Sequence, residues 1–187
     1  MTNGSAEGDG PQLYKVYPLA SVAAYNGTTL AHYALGALGM IVGYGKWPAL
    51  GWTLGLAYLV FAVVQMYVLM PLMVCPGCVY RRMDGARCIS ALNLVSAKIA
   101  AERDLDDFPR RAQGAFCHNN LYLAALVLPL LLMLPALFLD FSVVLLAVFL
   151  GVAALLVFRL FVLFRKVACV HCIAKKRCPN AQSMGLA

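Results

Sequence analysis

Long apolar runs alternate with polar segments along the chain, and the length of these runs is the most informative feature of the pattern. Four runs have about 20 residues or more, the length that lets a helix cross the hydrocarbon core of a bilayer. They cover residues 25–44, 49–74, 121–139 and 141–164. The first is the weakest, because it is rich in glycine and contains His32. The pattern predicts an all-α membrane protein with four transmembrane helices arranged as two hairpins.

The polar segments divide the chain into five predicted parts. These are a disordered tail (1–17), a first transmembrane hairpin (18–74), a cysteine-rich loop (75–120), a second hairpin (121–166) and a cysteine-rich tail (167–187). Within the loop, apolar residues at helical spacing predict an amphipathic helix over 88–103 with Ser90 as its cap. This helix either lies in the membrane interface or covers the end of the bundle. Asp140 is the candidate cap of the fourth transmembrane helix.

The composition agrees with a membrane protein, and the charges predict its orientation. Hydrophobic residues make up 63% of the chain and charged residues 12%, far outside the range of soluble domains. The net charge of +7 comes from cations that border the apolar runs. They therefore indicate contact with anionic lipids rather than with nucleic acid. Lys46 is the one cation beside the short turns, so the positive-inside rule predicts an inner-membrane, multi-pass protein with both termini and the long loop in the cytosol.

A cysteine motif, C-x-x-C, occurs twice in matching surroundings. Residues 75–78 (CPGC) end the second apolar run, and residues 169–172 (CVHC) follow the fourth run, 94 residues later. Each copy is followed by two cations and then by a further cysteine. The same offset relates the apolar runs to one another and Asn26 to Asn120. We therefore predict two pseudo-repeated hairpins, related by a pseudo-twofold axis along the membrane normal, with a cysteine-rich cytosolic cap.

Each motif supplies two thiolates from one tight turn, as zinc and iron–sulfur sites require. The first copy resembles the knuckles of zinc ribbons and rubredoxins over these few residues, which implies a ligand turn and no particular family. In the reducing cytosol, lasting disulfides are disfavoured, and metal-binding or catalytic thiols are the better interpretation. The alternative is that the cysteines are unliganded and simply packed at the interface.

Two arrangements of the metal ligands remain open. One is a shared site of Cys75, Cys78, Cys169 and Cys172; the other is a pair of sites, formed by Cys75, Cys78, Cys88 and Cys117 and by Cys169, Cys172, Cys178 and His118. Seven cysteines and one histidine give the eight ligands that two tetrahedral sites need. The ligand count therefore favours two sites, whereas the predicted symmetry favours one.

Two polar residues occupy equivalent positions inside the predicted spans. Gln65 and Arg159 each precede their cysteine motif by ten residues, and polar groups at that depth are costly and often functional. Together they are candidates for the lining of a small polar cavity that would suit a quinone headgroup or a passing metal ion. The alternative for Arg159 is that it reaches back to the interface. His32 is predicted to be a hydrogen-bonded packing residue, since one histidine cannot provide two haem ligands.

The chain has no glycine-rich phosphate loop, no H-E-x-x-H motif and no set of nucleophile, histidine and acid. Whether it is an enzyme therefore stays open. Membrane thiol oxidases also combine four helices with cysteines at one face, but their reactive cysteines face the oxidising side. Three hypotheses follow: a zinc-bearing accessory subunit with a membrane-protein or self-association partner, an electron-transfer protein with iron–sulfur or iron–thiolate centres, and a protein that handles metal ions or exchanges disulfides.

Overall fold

The computed structural model describes residues 11–111 and 117–186. Over these two ranges the protein is all-helical and contains isolated bridges but no strand. Three helical stretches are long and apolar enough to cross a membrane, namely Pro48–Gly77, His118–Leu139 and Val143–Ala168. They coincide with the second, third and fourth predicted spans. The architecture is therefore that of a helical, multi-pass membrane protein.

The helices follow the predicted apolar runs closely. In chain order the α-helices are α1 (Leu19–Gly43), α2 (Pro48–Val63), α3 (Val79–Arg82), α4 (Leu92–Ile99), α5 (Asp107–Arg111), α6 (His118–Leu139), α7 (Val143–Val157) and α8 (Pro179–Ser183). Two π-helical segments extend the bundle helices, the first (Val64–Val74) after α2 and the second (Phe158–Ala168) after α7. Short 3₁₀ turns cover Cys75–Gly77 and Ile173–Arg177.

Helix α1 lies against α2, α6 and α7 and is the least apolar of the long helices. Its glycines permit this close packing. A Cβ atom at Gly36 would lie 2.8 Å from the Cβ atom of Pro129, and one at Gly43 would lie 2.9 Å from that of Ala136. Its glycines, His32 and two threonines lower the hydropathy of α1, which explains why it gave the weakest hydrophobic signal.

Near Pro129 in α6, side chains from two other helices form hydrogen bonds with backbone carbonyls. A proline has no N–H, so the carbonyl of Ala125, four residues earlier, loses its helical donor. The Tyr58 hydroxyl donates to this carbonyl at 2.9 Å, and Nε2 of His32 donates to the adjacent carbonyl of Leu126 at 2.8 Å. His32 is thus a buried, hydrogen-bonded packing residue, as we predicted.

The two π segments occupy equivalent places in the two halves. Each has eleven residues, and the second begins 94 residues after the first. Each ends in the same wide-turn hydrogen bond, in which the amide of the first motif cysteine donates to the carbonyl five residues earlier. Cys75 donates to Met70 in this way, and Cys169 donates to Phe164 at 2.7 Å. π segments are uncommon in proteins, and those that occur are often found at functional sites.

Three local predictions need correction. The helix predicted over 88–103 is confined to Leu92–Ile99, because Ala91 takes a left-handed conformation with φ of 58° and breaks the helix before it. The Oγ atom of Ser142, rather than Asp140, accepts the capping hydrogen bond at the start of α7. Asp140 instead forms an ion pair with Lys46, at 3.0 Å, between the two short turns.

The predicted disordered tail also needs correction where it is described. Residues 1–10 lie outside the described part of the chain, but residues 12–17 form an extended segment, which we call the strap. The Tyr14 amide donates to the carbonyl of His171, and the Tyr17 amide donates to that of Arg87, at 2.9 and 3.0 Å. Tyr17 is fully buried. The strap therefore joins the two cysteine-bearing regions, which are far apart in sequence.

Candidate functional site

The two cysteine motifs form the same backbone turn, which we call a knuckle. In the first knuckle the Cys78 amide donates to the carbonyl of Cys75 at 3.0 Å. In the second the Cys172 amide donates to the carbonyl of Cys169 at 3.2 Å. In each, the residue three positions after the second cysteine donates to that cysteine's carbonyl, at 2.9 and 3.2 Å respectively. The repeated sequence therefore produces a repeated local geometry.

The first knuckle contains a glycine because another segment lies against it. A Cβ atom at Gly77 would lie 2.9 Å from the carbonyl oxygen of Asp104. The Arg103 amide also donates to the carbonyl of Pro76 at 3.1 Å. The loop before α5 thus covers the first knuckle, and a side chain at position 77 would push it away.

A small apolar cluster joins the knuckles, and we call it the knuckle cluster. Its buried core consists of Tyr17, Tyr80, Ala86 and Ala174, and Cys78, Cys88 and Cys172 are among the half-buried residues packed against it. Tyr80, from the first half, donates its hydroxyl proton to the carbonyl of Tyr14 at 2.7 Å. The same hydroxyl oxygen accepts from the Ile173 amide, in the second half, at 3.2 Å. One tyrosine thus links the strap and both halves.

The remaining cysteines lie around this cluster and at the start of α6. Cys75 packs against the main helical core, and Cys169 and Cys178 line a cavity described below. The Cys117 sulfur accepts from the Asn120 amide at 3.4 Å and so caps α6. All seven cysteines are free thiols. Six of them therefore belong to the knuckles and their surroundings, three from each half, and the seventh serves a helix end.

The knuckle thiols lie close enough to influence one another's protonation. The pKa of Cys78 is raised to about 12, mainly by burial and in smaller part by the nearby thiols of Cys88, Cys172 and Cys178. Burial likewise raises the pKa of Cys169 to about 12 and that of Cys172 to about 11. In the absence of a metal these thiols are protonated at pH 7, and a protonated thiol is a poor nucleophile.

The predicted four-ligand sets are not assembled in this structure. Within residues 11–111 and 117–186, no group of three or more His, Cys, Asp or Glu side chains is arranged to hold a metal ion. Cys117 and His118, the two ligands that would complete a pair of separate sites, stand at the start of α6, where Nε2 of Gln65 donates to the His118 carbonyl at 3.0 Å. Metal binding by these cysteines therefore stays a prediction.

Arg159 is fully buried, so the alternative that it reaches the interface is wrong. Its Nη1 atom donates to the Tyr25 carbonyl at 3.2 Å and to Oγ1 of Thr28 at 3.0 Å, and its Nη2 atom donates to the Tyr122 hydroxyl. The guanidinium carbon also lies 5.1 to 5.9 Å from the ring centres of Tyr25, Tyr122 and Phe164. Cation–π contacts of this kind stabilise a desolvated cation.

The polar partners of Arg159 do not include a carboxylate. None of the ion pairs in the described part of the chain involves this residue. Its Nε atom is buried without a hydrogen-bond partner among the described residues, and so is Oε1 of Gln65. A buried cation with an unsatisfied donor is costly, and such groups concentrate at functional sites.

A cavity of about 280 Å³ lies between α1, α6, the second π segment and the C-terminal tail. It is lined by Tyr25, Met70, Ile89, Asn119, Tyr122, Leu123, Leu126, Leu160, Phe164, Ala168, Cys169, Cys178 and Met184. Three of these residues are the aromatic rings that enclose Arg159, and two are cysteines of the second half. Gln65 and Arg159 themselves do not line it. The cavity was missed from the sequence because its walls come from separate segments and share no motif.

The thiols, the buried arginine and the cavity thus adjoin one another at the cysteine-bearing end of the bundle. Comparisons of the chain with protein-family models, with curated proteins and with solved structures found no match. The function of the site has to be inferred from its own residues.

Proposed function

We propose that the protein is an inner-membrane protein of four transmembrane helices, built from two equivalent hairpins whose knuckles face the cytosol. The length of α1 supports a fourth span, since 25 helical residues extend over about 37 Å. The equal π segments and equal knuckle turns, both offset by 94 residues, support the duplication. The cations of the long loop and tails support the orientation.

We further propose that the knuckle cysteines bind zinc and that the metal stabilises a docking face for a membrane-protein partner or a second copy. The observation that carries this proposal is that both halves bring the same turn to one cluster, which Cys78 and Cys88 contact from the first half and Cys172 contacts from the second. The candidate ligands at and after these turns are Cys75, Cys78 and Cys88 in the first half and Cys169, Cys172 and Cys178 in the second. Contact of both turns with one cluster supports a site that the two halves share.

Zinc binding requires an arrangement of the sulfurs that the described residues do not show. The thiols also have to lose the protons that burial makes them keep. A bound cation favours this loss, because it stabilises the thiolate. The binding energy of a structural zinc ion is on the order of 10 kcal/mol and is available to offset the cost of such a rearrangement.

A second candidate is electron transfer through an iron–sulfur centre. Two observations support it. The thiols raise one another's pKa, so they lie near each other. In the part of the chain that is described, however, no three of them are arranged to hold a single ion. A cluster of several irons takes its cysteine ligands over a wider space than one ion does. Disulfide exchange is less well supported, because the raised thiol pKa values leave little thiolate at pH 7.

Metal analysis of the protein purified in detergent tests these proposals. The zinc proposal predicts a colourless protein with at least one zinc ion per chain, which a strong chelator removes with loss of cluster packing. A brown protein with iron and acid-labile sulfide, whose absorbance dithionite bleaches, would support the second candidate instead. A fully folded protein without bound metal would exclude both.

A further inference from the structure

The cavity beside the second knuckle reaches the surface that the predicted spans would present to lipid. Leu123 lines the cavity and is 44% exposed. Leu160 and Met184 line both the cavity and the shallower depression next to it. Leu123 and Leu160 belong to helices that are long and apolar enough to cross a membrane. A lipid-soluble molecule can therefore enter from the side.

The size and lining of the cavity indicate a single substituted ring. Its volume, about 280 Å³, is roughly twice the 150 Å³ that accommodates benzene in an apolar cavity. The lining is mainly aliphatic and aromatic, with Tyr25, Tyr122 and Phe164 on one side. Aromatic side chains favour stacked or edge-on contact with another ring.

The same side of the cavity offers a hydrogen-bond donor. The hydroxyl oxygen of Tyr122 accepts from Nη2 of Arg159. The proton of this hydroxyl is therefore not used in that bond and can be donated to an acceptor on a ligand. The nearby Arg159 charge strengthens the hydroxyl as a donor.

A charged ligand does not fit this arrangement. None of the described residues that line the cavity is charged. Arg159 does not line the cavity, and its guanidinium lies against the rings of Tyr25, Tyr122 and Phe164, which do. A phosphate or carboxylate would lose its hydration without gaining an ionic partner. A neutral ring that bears a carbonyl oxygen satisfies both the apolar walls and the hydroxyl donor.

We propose that this cavity binds the headgroup of a membrane-soluble quinone, with a carbonyl oxygen accepting from the Tyr122 hydroxyl and the tail leaving past Leu123. This inference goes beyond the metal proposal, because the contacts that it names involve Tyr122 and Leu123 and none of the proposed zinc ligands.

Equilibrium binding of decylubiquinone to the protein in phosphatidylcholine nanodiscs tests the proposal. Leu123→Trp fills the opening and should weaken binding at least about tenfold, a loss of about 1.4 kcal/mol. Leu131→Trp is the matched control, because Leu131 lies on the same helix, is 59% exposed and does not line the cavity. It should bind as the unchanged protein does. Equal binding by both variants would overturn the proposal.

A second comparison tests the chemical class of the ligand. Tyr122→Phe removes one hydroxyl and should weaken decylubiquinone binding about three- to tenfold. Dodecylbenzene has a ring but no carbonyl, and it should bind the unchanged protein at least about tenfold more weakly than the quinone does. Equal binding of the two molecules would identify a hydrocarbon slot and contradict the proposal, as would the absence of quinone binding. Size-exclusion profiles of each variant verify that it is folded.

Discussion

The two halves of the molecule share the geometry of a π segment and a knuckle turn but bury different side chains. Both continue an apolar helix into an eleven-residue π segment and end in the same knuckle turn. At equivalent positions, however, the first half buries the neutral Gln65 and the second buries the cation of Arg159. Repeated local sequence thus reproduces backbone geometry, whereas the polar interior depends on what each helix meets across the bundle.

The first helices of the two halves differ in the same way. Helix α1 carries glycines where α6 and α7 approach, as at Gly36 and Gly43. Helix α6, at the corresponding place in the second half, contributes the side chains of Pro129 and Ala136 to these contacts. The two helices therefore differ at their contact, which makes the halves testable against each other by exchange of residues.

The largest effect is expected when the first half receives the residue of the second. Gln65→Arg places a cation at a buried position whose side-chain amide contacts Nδ1 and the carbonyl of His118, neither of which is a carboxylate. An uncompensated buried charge costs on the order of 3–5 kcal/mol. The midpoint of denaturant unfolding in detergent should fall accordingly. Gln65→Glu and Gln65→Met, which alter charge and polarity separately, serve as controls; a Gln65→Arg protein of unchanged stability would show that the two positions are interchangeable.

The converse exchange should have a smaller effect. Arg159→Gln removes the donors to the Tyr25 carbonyl, Thr28 and the Tyr122 hydroxyl. It also removes the buried charge, which offsets part of the loss, so we expect destabilisation of about 2 kcal/mol. The same unfolding measurement detects it. An increase in stability would mean that the aromatic enclosure does not compensate the buried cation.

Alanine substitutions in α1 test the glycine packing. A Cβ atom at Gly36 would lie 2.8 Å from Pro129 and 2.9 Å from the ring of Tyr58, so Gly36→Ala should cost about 1–3 kcal/mol. Gly27 is the matched control, since a Cβ atom there meets nothing within 4 Å, and Gly27→Ala should stabilise α1 by about 0.5–1 kcal/mol. Thermal unfolding of the two variants separates the effect of packing from that of helix propensity. A shift of Tm in the same direction in both variants would contradict the claim that Gly36 is required for close packing.

The pH dependence of stability should change sign when metal binds. Burial raises the pKa of the Cys78 thiol from 9.0 to about 12. The metal-free folded protein therefore keeps a proton that the unfolded chain loses, and its stability should fall as the pH rises from about 9 to 12. With zinc bound, the folded thiols are deprotonated, so stability should instead fall as the pH decreases below about 8. Unfolding free energies measured with and without chelator give both slopes; equal slopes would argue against bound metal.

The smallest effect is expected at the tyrosine that links the halves. Tyr80→Phe removes a hydroxyl that bonds to the Tyr14 carbonyl and the Ile173 amide. The loss should be about 1–2 kcal/mol and should release the strap, which amide hydrogen exchange at residues 12–17 would record. Tyr14 offers a control, because its ring stacks on His171 and its side chain makes no such link. If amide hydrogen exchange at residues 12–17 were unchanged in Tyr80→Phe, the Tyr80 hydroxyl would not hold the strap in place.

The sequence predicted those parts of the fold that depend on local pattern. Apolar runs of membrane length located three helices, and the repeated cysteine spacing located two equal turns. It did not predict the strap, because residues 12–17 carry no periodic pattern and are held by partners 66 or more residues away. It also failed at Asp140, where the longer-range partner Lys46 competes with helix capping.

The sequence singled out some residues of the candidate site but neither the cavity residues Tyr25 and Tyr122 nor the geometry, and metal binding by the cysteines stays a prediction. Spacing identified the knuckle cysteines, Gln65 and Arg159, since these residue types stand out in an apolar chain. It could not show that aromatic rings from α1, α6 and the second π segment enclose Arg159, because such contacts arise only when the helices pack. Nor could it show that Cys117 caps α6 instead of joining the other thiols.

The metal content of single-cysteine variants tests the central claim most directly, namely that both halves contribute to one thiolate site. Cys78→Ser and Cys172→Ser remove one sulfur from each half, and Cys117→Ser is the control at a cysteine that caps a helix. Elemental analysis of the purified proteins should find that either knuckle variant loses all bound metal, while the control keeps it. Retention of half the metal by each knuckle variant would show two separate sites, and retention of all of it would contradict the claim.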